Sequence, residues 1–379
     1  MCTIAGSQFG FALLWALLLS ILITIFLQTT AVRIGIISQK SLSNAIVSQF
    51  DNKIIRIISI IVILSAILVG NIAYEAGNIS GGVLGLETVF GSIKFSNGGN
   101  VYSLIIGFIA FVILFLGNNR ILERILMLLV LFMSFAFLLT AIKIGFDFKS
   151  FLAGIFIPTF PDNSLLIIMG LIGTTVVPYN LFLHVSLAKE KWKSPDKLKE
   201  AKIDTFIAVI VGGFISMCII ISSTSIGIEN LNSAVDLAKG IEPVFGNFSK
   251  QLISFGLFAA GLTSAITAPL AAAYVTCGCL NWKTDLKSFN FRIIWFIVLL
   301  VGVVCSSLNI SSIEIIKFAQ VANGILLPSV TFFLILIANS KKVLGNYANG
   351  WVHNIISLFV FIVTLTLGVK SIIKVMELI

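Results

Sequence analysis

Charge is scarce in this chain. Asp, Glu, Lys and Arg make up 11% of its 379 residues and hydrophobic residues 58%, a balance foreign to a soluble globular domain. Its 16 acids and two histidines, His184 and His353, are scattered. They supply neither a paired carboxylate nor a histidine-rich cluster, which argues against an enzyme. The five cysteines, Cys2, Cys218, Cys277, Cys279 and Cys305, follow neither zinc nor disulfide spacing. No phosphate-cradling glycine loop, nucleophile triad or zinc helix motif is present, so no cofactor is implied. A channel filter or repeated rings of charge are missing too. The net charge of +9 lies in short connectors without a basic aromatic face. It speaks for lipid headgroups and topology rather than nucleic acid.

Long apolar runs are what the chain has in abundance. A membrane-spanning helix needs roughly 20 apolar residues, and ten segments read as such: Phe9 to Val32, Ile54 to Ser80, Tyr102 to Leu116, Ile121 to Ile142, Leu165 to Leu187, Ile203 to Ile226, Leu252 to Leu280, Ile293 to Leu308, Ile313 to Ala338 and Val352 to Val369. The third and eighth are short. The first has no preceding cation and is too long for a signal-peptide core. The expected product is an all-α, multi-pass protein of the cell membrane.

Lysine and arginine set the orientation. Arg33, Lys40, Lys53 and Arg56 follow the first segment, Arg120 and Arg124 the third, and six lysines from Lys189 to Lys202 the fifth. Lys283, Lys287 and Arg292 follow the seventh, and Lys341 and Lys342 the ninth. These alternate connectors are expected in the cytoplasm, which leaves both ends of the chain outside. Either a short neutral tail translocates or one more helix precedes Met1.

The segment Gly173 to His184, GTTVVPYNLFLH, places a proline and several polar groups at membrane depth. Proline removes a backbone donor and clashes with the preceding turn. The carbonyls it frees must face protein or water. A broken helix of this kind exposes oxygens to ions in many secondary transporters. A plain kink, with the carbonyls satisfied by Thr175 or Asn180 side chains, is the alternative.

Other intramembrane polar residues are candidates as well. Glu75 is the acid deep in the second segment, and such residues are costly enough to point to function. Buried packing among Ala73, Ala76 and Gly77 is the competing reading. Gln320 and Asn323 share a helical face in AQVANGILLP, where amides either ligate or join helices. Glu314 and Lys317 are expected to pair near the outer end. The small-residue run GLFAAGLTSAITAPLAAAY marks close helix packing.

Five stretches in order, AGSQFGFALLWALLLSILITIFLQTTAVRIGI at Ala5 to Ile36, GNIAYEAGN at Gly70 to Asn78, TVVPYNLFLH at Thr175 to His184, GLFAAGLTSAIT at Gly256 to Thr267 and AQVANGILLP at Ala319 to Pro328, resemble the Nramp family of divalent metal transporters. The resemblance covers nearly the whole chain. It implies a LeuT-like inverted repeat of five plus five helices and one further helix, with Ala5 to Ile36 as the second helix and the ten segments as helices two to eleven. The implied division is a single transmembrane domain, with 1–143 the remainder of the first repeat, 164–338 the second and 352–379 the extra helix. The family's first helix, with its Asp-Pro-Gly metal motif, lies largely upstream of Met1. The chain is then expected to be either a carrier with a misassigned start or a truncated, non-transporting fragment, and the upstream reading frame distinguishes them.

By the same resemblance, the family's Met-Pro-His-Asn pattern stands here as Val177, Pro178, Tyr179 and Asn180. Thr174 would offer a carbonyl, and Asn180 and Gln320 would supply amide oxygens. Valine replaces the soft thioether that favours transition metals, which implies a harder site. Magnesium, which keeps several waters, suits it, as in the Nramp-related magnesium branch; manganese is next. Tyr179 replaces a histidine that the family associates with proton movement, and tyrosine does not titrate near neutral pH. A proton-coupled manganese or iron carrier is the remaining alternative. Glu75, Tyr179, His184 and Asn323 are the gating or proton-related candidates, and the expected partners are the cation and the bilayer, with the carrier a monomer.

Overall fold

The computed structural model describes residues 1–95, 99–117, 120–145, 147–226, 233–308 and 310–376, without the side chains of 120–123, 320, 323 and 374–376. Among these the chain is helical apart from one isolated bridge between Lys94 and Asn100. The helices are α1 (Cys2–Phe9), α2 (Leu14–Ser38), α3 (Leu42–Gln49), α4 (Lys53–Phe90), α5 (Val101–Leu116), α6 (Arg120–Ile144), α7 (Phe148–Phe156), α8 (Leu165–Thr175), α9 (Pro178–Lys191), α10 (Leu198–Ser223), α11 (Ala234–Ala238), α12 (Glu242–Phe245), α13 (Ser249–Cys279), α14 (Phe289–Ser306), α15 (Ser312–Ala338), α16 (Lys341–Leu344) and α17 (Trp351–Met376). Nine stretches of the described residues, with α8 and α9 counted as one, are long and apolar enough to cross a membrane, and α5 is a shorter tenth.

The first apolar segment differs from its sequence reading. Ala5 to Ile36 is not one helix: α1 ends at Phe9, turns occupy residues 10–13, and α2 starts at Leu14. Gly10 makes the break with φ 55°, a backbone region that costs glycine little.

Polar side chains define several helix starts. Asn52 Oδ1 accepts from the Ile54 amide at 2.8 Å to open α4, and Asn100 Oδ1 from Tyr102 at 2.9 Å to open α5. Each satisfies an amide that the first helical turn leaves without a partner. At the other end of α5, Gly117 takes φ 69° and bonds its amide to the Ile113 carbonyl, the usual glycine stop.

Helix α4, 38 residues long, is the spine of the molecule. It packs along α13, α15 and α14, while α2 packs on α9, α10 and α8. Glycine permits the closest approaches. A Cβ on Gly261 of α13 would stand 2.5 Å from the Gly82 amide nitrogen of α4, and one on Gly35 of α2 would stand 2.5 Å from the Val185 carbonyl oxygen of α9. The small-residue reading of α13 therefore holds. Phe135 of α6, Ile207 of α10 and Leu358 of α17 are exposed, as lipid-facing positions should be.

Candidate metal centre

Between α8 and α9 the chain leaves helical geometry for two residues. Val176 has φ −99°, ψ 81° and Val177 φ −86°, ψ 120°, after which Pro178 opens α9 at its first position. A residue before proline is pushed toward extended backbone, and proline itself suits a helix start. The sequence thus encodes both edges of the break.

The break leaves acceptors open. The Val176 amide bonds back to Ile172 at 2.9 Å and the Asn180 amide to the Val177 carbonyl at 3.1 Å. Among the described residues, no donor reaches the carbonyls of Gly173, Thr174, Thr175 or Val176. The threonine hydroxyls do not satisfy them, since Thr174 Oγ1 bonds back to Gly170 and Thr175 Oγ1 donates to Leu171 at 2.9 Å. The kink alternative required Thr175 or Asn180 to close these carbonyls, and neither does.

Protein surrounds this segment. Val176, Val177 and Tyr179 are buried in one cluster with Leu27 of α2, Ile63 and Ile67 of α4, Ala268 and Ala271 of α13, and Leu327 and Val330 of α15. Thr174, Thr175 and Asn180 stay half-buried, and the Asn180 side chain has no hydrogen-bond partner among the described residues. Open carbonyls and an uncommitted amide oxygen are hard donors of the kind that bind hydrated or partly hydrated divalent cations. Val177 adds only an apolar wall.

Tyr179 packs edge-on against Tyr74 of α4 with ring centroids 5.3 Å apart. This brings α4, and with it Glu75, to the depth of the break. Glu75 is fully buried. Asn78 Nδ2 donates to its Oε2 at 3.4 Å, while Oε1 has no partner among the described residues. Its aliphatic stem lies on Gly302 of α14. One turn beyond Gly302, Ser306 lies 3.1 Å from Ser80 and 3.0 Å from Ser103, hydroxyl to hydroxyl. Ser306 also lines a polar cavity of about 330 Å³ with Glu87, Lys94 and Asn100 at the ends of α4 and α14.

His184 stands apart from this group. It shares a hydrogen bond of 3.1 Å with Thr205 of α10, which joins two helices two turns below the break. Gln320 and Asn323 lie on α15, and their side chains fall outside the described residues. Glu314 and Lys317, expected to pair, form no ion pair among the described residues; Glu314 is exposed, whereas Lys317 is half-buried and lines a cavity with Met1 and Ile4.

Three features were missed in the sequence. Asn71 donates to the Ala268 carbonyl at 3.0 Å, next to Pro269 inside α13. Tyr74 faces Tyr179, and the Ser80, Ser103 and Ser306 hydroxyls converge from three helices. Asn78, three residues beyond Glu75 on the same face, was the legible signal. The serines are too far apart in sequence to have given one.

The matching family model, described as natural resistance-associated macrophage protein-like (Nramp), spans residues 2–374. A protein named divalent metal cation transporter MntH from Yersinia pestis is 24% identical over 376 residues, covering 96% of this chain and 88% of that one. A natural resistance-associated macrophage protein 2 homolog from Dictyostelium discoideum is 26% identical over 373 residues, 94% of this chain and 58% of the relative. In three dimensions the chain is similar to a manganese transporter of Eremococcus coleocola, with TM-score 0.77 and 19% identity over 98% of this chain and 82% of that one. MhsT, solved with L-phenylalanine, gives 0.60 and 15% identity over 98% of this chain and 96% of the other. The architecture is the LeuT-like one, and this multi-pass membrane protein belongs to the Nramp family.

Proposed function

We propose that the cation carried by this divalent metal transporter is magnesium, taken toward the cytoplasm by alternating access, with manganese the second reading. One observation carries it: the break at Val176 and Val177 combines open backbone carbonyls with the apolar side chain of Val177, where the resemblance to the family implies a methionine sulfur. Thr174 contributes its carbonyl, Asn180 its amide oxygen, and Val177 a wall that leaves bound water in place. Gln320 is assigned to the same site and Asn323 to its gate by their position on α15. Among the described residues no group of three or more His, Cys, Asp or Glu could hold a metal ion, which supports a cation that keeps part of its hydration shell. In this reading residues 1–143 are the remainder of the first repeat, 164–338 the second, and 352–379 the additional helix. Manganese is favoured by the names of the MntH and Eremococcus relatives, and manganese also accepts oxygen ligands.

Val177→Met tests the selectivity directly. A thioether at this point should raise manganese and cadmium uptake relative to magnesium by about tenfold, the equivalent of ~1.4 kcal/mol for one soft contact. The measurement is competitive uptake into proteoliposomes. An unchanged cation ratio removes Val177 from the selectivity determinants.

Glu75 is assigned a gating or proton-related role together with Tyr179, on the strength of its unpartnered oxygen at the depth of the break. Glu75→Gln keeps the shape and the Asn78 contact. It is expected to leave the melting temperature in place and slow uptake several-fold. Wild-type transport in this variant would reduce Glu75 to a packing residue.

A further inference from the structure

A second polar feature lies far from the break, at the lysine-rich ends of α2, α10 and α17. Arg33 of α2 is only 6% exposed. One of its terminal nitrogens, Nη2, donates to Asn349 Oδ1, and its Nε has no partner. Among the described residues no carboxylate forms an ion pair with it. Nη1 is unbonded and is not among the fully buried orphan atoms, so it keeps contact with the surroundings.

Two further basic side chains converge there. Ala201, next to Lys202 on α10, is buried in one cluster with Val32 and Ile36 of α2, and Asn349, which accepts from Arg33, donates to Asn354, the neighbour of His353 at the start of α17. Three acids of this face are engaged elsewhere, Asp204 with Lys191 at 2.7 Å, Glu200 with Lys197 at 2.7 Å and Asp51 with Lys342 at 3.1 Å. A buried guanidinium without a counter-ion is costly, and repulsion from the Lys202 ammonium adds to that cost.

The level of the cluster identifies the counter-ion. Arg33 is five residues from the end of α2, about 7.5 Å along its axis, and Lys202 and His353 sit in the first two turns of their helices. Beside them Trp351 is 79% exposed at the start of α17, followed by exposed Val352, Ile355 and Ile356. Exposed tryptophan above an apolar helix face marks the boundary between headgroups and hydrocarbon. We propose that Arg33, Lys202 and His353 together bind the phosphate of an anionic phospholipid headgroup in the cytoplasmic leaflet, at the junction of α2, α10 and α17. The lipid would neutralise Arg33 and hold α17 against the bundle.

Native mass spectrometry of the full chain in neutral detergent tests this, with phosphatidylglycerol, phosphatidylcholine of the same acyl chains, and inorganic phosphate as probes. The wild type should retain phosphatidylglycerol at least tenfold better than phosphatidylcholine. Lys202→Gln should weaken that retention about fivefold, the contribution of one basic residue at a membrane surface. His353→Gln should weaken it less. Both variants should keep the wild-type melting temperature in detergent alone, which separates lost binding from lost folding. Equal retention of the two lipids, or variants that bind as the wild type does, would overturn the site. Complete displacement by inorganic phosphate would assign the anion to a free phosphate and overturn the lipid reading.

Discussion

Gly261→Leu should leave no folded carrier to purify. A Cβ at this position meets the Gly82 amide nitrogen at 2.5 Å, the Asn78 carbonyl oxygen at 2.7 Å and the Gly82 Cα at 2.8 Å. All three are backbone atoms of α4, so no side chain can rotate aside. The two helices would have to separate by an ångström or more along the contact on which the bundle is built. Overpacking commonly costs about 1–3 kcal/mol even where neighbours can adjust, and the whole margin of a fold is about 5–15 kcal/mol. Gly261→Ala should be measurably destabilised and Gly261→Leu lost to aggregation. Gly212 on α10 provides the control, because an added Cβ there meets nothing within 4 Å; Gly212→Leu should behave as wild type. The readout is the elution profile and melting temperature after detergent extraction. A monodisperse Gly261→Leu sample melting with the wild type would mean that α4 and α13 do not cross at these glycines.

The contrast between Gly261 and Gly212 shows what sequence could carry. Both are glycines in apolar segments, and composition alone marked only the first as part of a small-residue run. That run predicts that some helix comes close; it does not say which one, because the partner lies about 180 residues earlier in the chain. The spans themselves were legible, since hydrocarbon imposes a minimum apolar length on every crossing. Their ends were less so. Gly10 split the first segment because a glycine turn carries little hydropathic signal.

The break at Val176 and Val177 was the most legible element of the site. Proline acts locally: it fixes its own backbone, constrains the residue before it, and takes one donor away. Those effects need no knowledge of the rest of the fold. Glu75 could be flagged by its cost alone, whereas the adjacent Tyr74 could not, since its edge-on contact with Tyr179 depends on how α4 crosses α9. The three converging serines were invisible for the same reason. Local chemistry can be read from the chain; the juxtaposition of distant helices has to be seen.

Asn180→Leu is the sharpest test of the proposed metal centre. The side chain is half-buried in the first turn of α9 and committed to no partner among the described residues. Removing it therefore breaks no hydrogen bond within the protein, and leucine keeps the same branched arrangement of four side-chain heavy atoms, though with more bulk. Folding should be preserved within about 1–2 kcal/mol, because the position is only half-buried and can take up the added bulk. Binding is a different matter. A polar oxygen facing a charged ligand is worth about 1.5–3 kcal/mol, which corresponds to a roughly 10- to 100-fold loss of magnesium affinity. Asn180→Asp keeps an oxygen in place and adds a negative charge, so it should retain or strengthen binding while slowing release. Calorimetric titration of magnesium into wild type and both variants, with melting temperatures recorded alongside, separates the two effects. If Asn180→Leu binds magnesium as tightly as wild type while Val177→Met still alters selectivity, the cation rests on the backbone carbonyls alone. If neither variant changes binding or selectivity, the ion passes elsewhere and the break at Pro178 serves only to let the two halves of the helix move.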